Sequence, residues 1–381
     1  MNNLKIFTKN IEPAAMAQIS LLLKQEPFKD CKVRIMPDVH AGKGCVIGFT
    51  ADLGDKVIPN IVGVDIGCGM LTINLGNQEL NLKKLDHTIK KSIPSGYSIH
   101  ESKLFEMEKI KDLQCLNELK DTDRFERAIG TLGGGNHFIE IDVDDQNNKY
   151  LIIHSGSRNM GKQVAEYYQN LAINLCNDKQ KFKSEYQNAE CNLPSELCYL
   201  ENEQRKMYLH DMSICQEYAE KNRIKMAQII FKNYFGIKDP SYYSTDTLAE
   251  EHFHTVHNYI DIKSNIVRKG AISAKQNEKL LIPINMRDGC IMGIGKGNTD
   301  WNESAPHGAG RVMSRGQAKR SLNLDEFKES MNGIYSSSVC KSTLDEAPLV
   351  YKPIEEIVEN IKDTVEIQKI IKPIYNFKAS N

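Results

Sequence analysis

The sequence predicts an α+β fold, mixed β-sheets packed together with helices around them and a helical insertion. Alternating or apolar runs such as Leu71–Leu75, Tyr150–Ile153 and residues 280–284 read as strands. Between them stand stretches with helical spacing, among them a long one over 160–235, and no βαβ period repeats along the chain. At 381 residues the chain is well beyond what a small core needs.

Composition narrows the classes. With 40% hydrophobic and 26% charged residues the chain reads as an ordinary globular protein. A formal net charge of -1 means that a nucleic-acid site has to be a local basic patch, not a property of the whole molecule. The opening residues lack the apolar core of a signal peptide, and no apolar run reaches membrane length, so no membrane partner is expected. Ten cysteines without a CxxC pair point to reduced thiols and a cytoplasmic location. Cys68 is then free to act as a ligand.

In chain order, Pro13 followed by Met16, Ile19, Leu22 and Leu23 predicts an amphipathic helix ended by Pro27. Val33–Pro37 is a strand leading into the loop Asp38-Val-His40-Ala-Gly-Lys43-Gly44. Ile61, Val62 and Val64 suggest a buried strand, after which Gly67 and Gly69 turn the chain so that Asp65 and Cys68 aim at one spot. An oxygen and a sulfur on a rigid turn suit a borderline divalent cation. Residues 79–92 and 101–127 read as exposed polar helices.

The loop Gly130–Asn136 crowds four glycines ahead of a strand, with His137 and Glu140 expected on opposite faces of it. Tyr150–His154 repeats the layout, a buried strand delivering a histidine into a Gly/Ser loop that ends at Arg158. The 160–235 stretch is read as a helical subregion attached to the main body rather than a source of chemistry. His252, His254 and His257 are three further donors among which the pattern does not choose. Strands at 280–284 and 290–294 lead to a second glycine-rich segment. There His307 stands between Pro306 and Gly308 with no apolar neighbours to bury it, presented at a surface or cleft. Arg311, Arg315 and Lys319 recur every four residues, one basic face if the segment is helical. A helix over 354–363 and a strand Ile374–Lys378 close the chain.

Together Asp65, Cys68, His137, His154 and one of the 252–257 histidines supply donors for two metals sharing a thiolate. His307 is a candidate nitrogen nucleophile, with glycine-loop amides and basic side chains to neutralise phosphate charge. The chemistry these residues suggest is metal-dependent phosphoryl or nucleotidyl transfer.

The motifs resemble those of the RtcB family of RNA ligases. The likeness rests on Pro37-Asp-Val-His40, Val64–Met70, Gly130–Glu140, His154–Arg158, His257-Asn-Tyr259, Arg268–Ala271, Ser304–Arg315 and Glu346-Ala-Pro348. Because they span nearly the whole chain, 1–381 is expected to be a single catalytic domain. The resemblance implies that Asp65, Cys68, His137, His154 and His257 hold two Mn²⁺ ions and that GTP guanylylates His307. It further implies nucleotide contacts from Asn136, Glu140, His257, Asn258, Gly308, Ala309, Gly310, Tyr351 and Lys378, and RNA contacts from Arg158, Arg311 and Arg315. The implied substrates are RNA 3′-phosphate or 2′,3′-cyclic phosphate ends and 5′-hydroxyl ends, with an archease-like activator as a candidate partner. The chain departs from the usual pattern at Ile284–Gly289, a sign of a divergent branch in RNA repair. The alternative reading is a metal-dependent phosphohydrolase or end-processing nuclease on the same site.

Overall fold

The main sheet is built from strands far apart in sequence, and it curls until its two edges meet. A computed structural model describes residues 4–42, 44–187, 193–237 and 252–379, with the side chains of 180–187 outside that description. In chain order its strands are β1 (Leu4–Ile6), β2 (Val33–His40), β3 (Ile47–Asp52), β4 (Lys56–Val57), β5 (Gly69–Gly76), β6 (Phe138–Val143), β7 (Lys149–Ser155), β8 (Leu200–Glu201), β9 (His252–Val256), β10 (Asn258–Asp261), β11 (Ile266–Lys269), β12 (Ala271–Ser273), β13 (Lys279–Asn285), β14 (Gly289–Gly295), β15 (Ser304–Pro306) and β16 (Val365–Lys378). The helices are α1 (Pro13–Leu23), α2 (Pro59–Val62), α3 (Leu82–Ser92), α4 (Asp123–Arg127), α5 (Arg158–Gln187), α6 (Asn202–Ile230), α7 (Arg315–Ser321), α8 (Leu324–Ser330) and α9 (Ile354–Asn360), joined in places by short 3-10 turns.

A seven-stranded sheet runs β13-β14-β16-β6-β7-β5-β9, and a five-stranded sheet runs β1-β2-β3-β11-β10. The edges of the larger sheet, β13 and β9, come together where Leu281 N donates to Thr255 Oγ1 at 3.2 Å. Strand alternation then sorts side chains to the two sides of the curl. Leu71, Ile73, Ile139, Ile141, Leu151 and Ile153 pack outward with residues of α3 and α6. Met70, Phe138, Tyr150, Ile152, Leu281 and Ile371 pack inward on one another. Glu140, Asp142 and His154 share that inner face by the two-residue period, in layers set by the register Phe138↔His154, Glu140↔Ile152 and Asp142↔Tyr150.

Several expectations change. The Ile61–Val62 run is not a strand: it forms α2, started by Pro59 and ended at Gly63 with φ 93. Only four residues long, it fits a proline at its first turn and a glycine at its end. The 101–127 stretch is not an exposed helix but 3-10 turns at Glu108–Asp112 and Leu116–Glu118, then α4. Met107, Ile110, Leu113, Cys115 and Phe125 bury it in the larger core. The closing strand is longer than the sequence suggests, because β16 starts at Val365 and pairs with β14 before it reaches β6. Helices α5 and α6 supply most of the described part of the 160–235 stretch, and Tyr218, Asn222, Arg223, Met226 and Ile230 of α6 are buried. Lys43 and Cys191 lie outside the described residues.

Candidate active site and metal centre

The mouth of the curled sheet collects five donors from four places in the chain. Asp65 and Cys68 come from the turn before β5, His137 from the residue preceding β6, His154 from β7, and His257 from the link between β9 and β10. Cys68 Sγ lies 3.4 Å from His137 Nε2 and 3.3 Å from His154 Nε2. His137 Nε2 lies 2.9 Å from Asp65 Oδ2, and His154 Nε2 lies 3.4 Å from His257 Nε2. Of the three neighbouring histidines it is thus His257 that joins the cluster. His254 instead accepts from Arg223 Nε through its Nδ1 at 3.4 Å.

The tautomers make this arrangement a test of metal fit. His137 Nδ1 faces the Leu132 carbonyl at 2.9 Å and His154 Nδ1 faces the Asn136 carbonyl at 3.3 Å, so each Nδ1 carries the hydrogen and donates. Both Nε2 lone pairs are left pointing at a thiol sulfur, a carboxylate and another imidazole. Cys68 and His257 can each supply at most one proton to these facing acceptors, and a cation between them would satisfy the lone pairs that remain. Cys68, His137 and His154 offer atoms all within 4.8 Å of one another, a soft and borderline set that fits a first-row divalent ion.

Electrostatics agree with that fit. Burial pushes His154 and His257 well below the usual histidine range, which keeps them neutral and able to ligate. Burial and then the Asp65 charge push the Cys68 thiol up, and a bound cation reverses that preference.

Helix α6 secures the cluster from behind. Arg223 Nη1 donates to the carbonyls of Gly67 and Ser155, each at 2.9 Å, tying the Asp65/Cys68 turn to the end of β7. Asn222 Oδ1 accepts from Gly130 N at 2.8 Å and Thr131 N at 3.0 Å, which fixes the start of the glycine loop. Both residues lie on the buried stripe with Tyr218, Ala219, Met226 and Ala227. A polar pair on an apolar helix face was the sequence signal for this role.

His307 follows β15, and its Nδ1–H donates to Asp38 Oδ2 at 2.6 Å. Its Nε2 is left without that proton, and its ring centroid is 4.9 Å from that of His257. Asp38 belongs to β2, which continues through the segment read as a loop, and its side chain is fully buried. The glycine after Ala309 is required: a Cβ at Gly310 would lie 2.3 Å from the Asp38 carbonyl oxygen, and its φ is +76.

Beside the cluster opens a cavity of about 290 Å³. Its lining includes Asp65, Cys68, His154, His257, Asn136, Glu140, Asn258, His307, Gly308, Ala309, Gly310, Tyr351, Lys378, Arg311 and Arg315, so nearly all predicted site residues meet there. Ile284, Asn285 and Met286 of the divergent segment line it too. Arg158 does not: its Nη2 donates to the Gly96 carbonyl at 3.0 Å and its Nε to Thr131 Oγ1 at 3.1 Å.

The basic face is also built differently from the expectation. Helix α7 begins at Arg315 behind the cap of Ser314, so Arg311 is not on it. The cations converge on acids instead. Arg315 Nη1 donates to Asp345 and Glu346 at 2.6 Å each, and Lys319 pairs with Asp345 at 3.3 Å. Glu346 Oε2 also accepts from Lys378 Nζ at 2.6 Å and from Tyr351 Oη at 2.8 Å. Loss of hydration opposes its charge, but Lys378 and Arg315 hold its carboxyl at about 2. Glu346 is the wall residue whose role sequence reasoning missed, hidden in a short motif without an apparent partner.

The family model described as tRNA-splicing ligase RtcB matches residues 22–379. The RNA-splicing ligase RtcB of Escherichia coli (strain K12) is 30% identical over 98% of this chain and 97% of its own length. The tRNA-splicing ligases RtcB of Nanoarchaeum equitans and Aeropyrum pernix are 27% and 28% identical over 88% and 85% of this chain, and over 85% and 83% of their own lengths. Because the family model spans residues 22–379 and a relative 30% identical is matched along nearly its whole length, the chain belongs to the RtcB family of tRNA-splicing ligases.

Proposed function

We propose that this RNA ligase joins RNA 3′-phosphate or 2′,3′-cyclic phosphate ends to 5′-hydroxyl ends, using GTP and two Mn²⁺ ions through a guanylylated His307. The reading is carried by one observation: an imidazole locked by Asp38 through Nδ1, which leaves Nε2 as its second nitrogen, beside a histidine of the donor cluster. Asp65, Cys68, His137, His154 and His257 would hold the metal, which supplies Lewis-acid stabilisation of charge on phosphate oxygens.

The protein's own residues account for the rest. His307 Nε2 attacks the α-phosphorus of GTP, forming a P–N bond as the bond to pyrophosphate breaks, while Asp38 offsets the charge that develops on the ring. An oxygen of the RNA 3′-phosphate then takes the guanylyl group, the P–N bond breaks and His307 is regenerated. Finally the 5′-hydroxyl attacks the activated 3′-phosphorus, losing its proton as GMP leaves and the strand is sealed. Cyclic ends are first opened by water to the 3′-phosphate. Glu140, Tyr351 and Lys378 serve the guanine base, Asn136, Asn258 and the Gly308–Gly310 turn serve its phosphate and ribose, and Arg311 and Arg315 face the RNA. Arg158 acts on RNA through the loop it holds at Gly96.

Incubation with α-labelled GTP and Mn²⁺ tests this. The expected result is a covalently labelled wild type and an unlabelled His307→Ala variant. A wild type that takes no label, or that cleaves RNA ends without needing GTP, would overturn it.

A further inference from the structure

One layer below the histidines, inside the curled sheet, two acids face each other. Glu140 and Asp142 project from β6 to the same side, and Cys290 of β14 joins them, with atoms of all three within 4.8 Å. Glu140 lines the cavity; Asp142 sits beneath it, 0% exposed. Glu140 is well supplied with donors: Asn376 Nδ2 donates to its Oε2, and the Cys290 thiol to its Oε1 at 3.7 Å. Neither oxygen of Asp142 receives an N–H or a hydroxyl from any described residue.

The charged and titratable groups around the pair are committed elsewhere. Across from Asp142 on β7, Tyr150 turns its hydroxyl to Asp144, which also pairs with Lys369 at 2.8 Å. Lys378 is held by Glu346, and Lys372 Nζ donates to the Asp288 carbonyl at 3.1 Å. The remaining neighbours, Ile152, Leu281 and Ile371, are apolar. Two ionised carboxylates here would be two adjacent buried charges with one set of donors between them, an arrangement that carboxyl pairs relieve by keeping one proton. Burial, and then the charge of Glu140, drives the Asp142 carboxyl far above its ordinary range.

We propose that Asp142 is a positioning residue of the base pocket: it holds the single proton of the pair and donates it to Glu140, fixing Glu140 as the anion that faces the nucleobase. The inference rests on the reading in which Glu140 meets the base of the nucleotide. An anionic carboxylate accepts from a purine edge that presents N1–H and an exocyclic amine, the guanine pattern. Were Asp142 ionised instead, Glu140 would take up the proton and offer a hydroxyl, which suits the N1 acceptor of adenine. Asp142, which does not touch the base, thereby sets which base is accepted.

The test uses the full chain with Mn²⁺. Difference infrared spectra between wild type and Asp142→Asn at neutral pH are expected to show loss of a protonated-carboxyl C=O band. Asp142→Asn keeps a neutral donor, so its preference for GTP over ATP should stay within about threefold of wild type. Asp142→Leu removes the donor and should lower that preference by about tenfold or more. Absence of the band, or the same preference in Asp142→Leu as in wild type, would overturn the proposal. So would a divalent ion that Cys68→Ala retains and Cys290→Ser loses, since a cation would then stand where the proton is placed. A wild type that binds GTP without becoming labelled removes the ligase reading alone, because the infrared band reports the proton whether or not the chain ligates.

Discussion

His307 and Asp38, 269 residues apart in the chain, meet at 2.6 Å through Nδ1 and Oδ2. The backbone N–H of His307 donates to the same oxygen at 3.2 Å, so one buried carboxylate fixes both the tautomer and the direction of the ring. Asp38→Asn removes the charge while keeping the shape. Single-turnover labelling by GTP should slow on the order of 10²- to 10³-fold, with little change in melting temperature. An unchanged rate would separate Asp38 from the chemistry.

Cys68 touches two cluster histidines, and its removal should be felt as metal loss before anything else. Cys68→Ala is expected to bind Mn²⁺ at least about 10²-fold more weakly. In a thermal melt the wild type should gain stability on adding Mn²⁺ and the variant should not. Equal gains in both proteins would place the ion elsewhere.

Glu346 gives a pH signature. Its folded-state pKa of about 2 lies below the ordinary glutamate value, so its ionised form is stabilised by folding. The contribution is complete above about pH 4.5 and disappears as pH falls towards 2, amounting to on the order of 3 kcal/mol. Denaturant titrations across that window should show a steeper acid loss in wild type than in Glu346→Gln. Parallel curves would argue against the assignment.

Arg223 is fully buried and donates to two carbonyls of the cluster's framework. Arg223→Met leaves both acceptors without a donor and should reduce unfolding stability by about 2–4 kcal/mol, read from urea midpoints. Because those carbonyls position Cys68 and the end of β7, Mn²⁺ affinity should fall about 10- to 100-fold in the folded variant. Retained affinity would limit Arg223 to a structural role.

Much of the site was legible because its chemistry sits in short segments with unusual composition. Asp65 and Cys68 between glycines, and His154 at the end of an apolar strand, could be seen one segment at a time. What could not be seen is partnership across the chain. Asp38 looked like a loop residue because nothing local shows that β2 runs on past Pro37, and the cation spacing of Arg311, Arg315 and Lys319 carried no sign of Asp345 and Glu346. In the fold, strand alternation was readable at β5 and β7, where apolar residues repeat cleanly. The Ile61–Val62 run misled because two apolar residues fit a helical turn as well as a strand, and Pro59 decided between them. The buried 101–127 segment misled for the opposite reason: its apolar residues are sparse and lack a helical period, yet the core reaches out to them.

The distance in sequence between Asp38 and His307 has a consequence for how the molecule comes into being. A ribosome that has released the first two hundred residues has already delivered most of the donor cluster, but the imidazole and the strands that seat it arrive much later. Until that late segment docks, a nascent chain lacks the imidazole that the Asp38 carboxylate holds. The pairing of these two residues is thus among the last long-range contacts that synthesis permits.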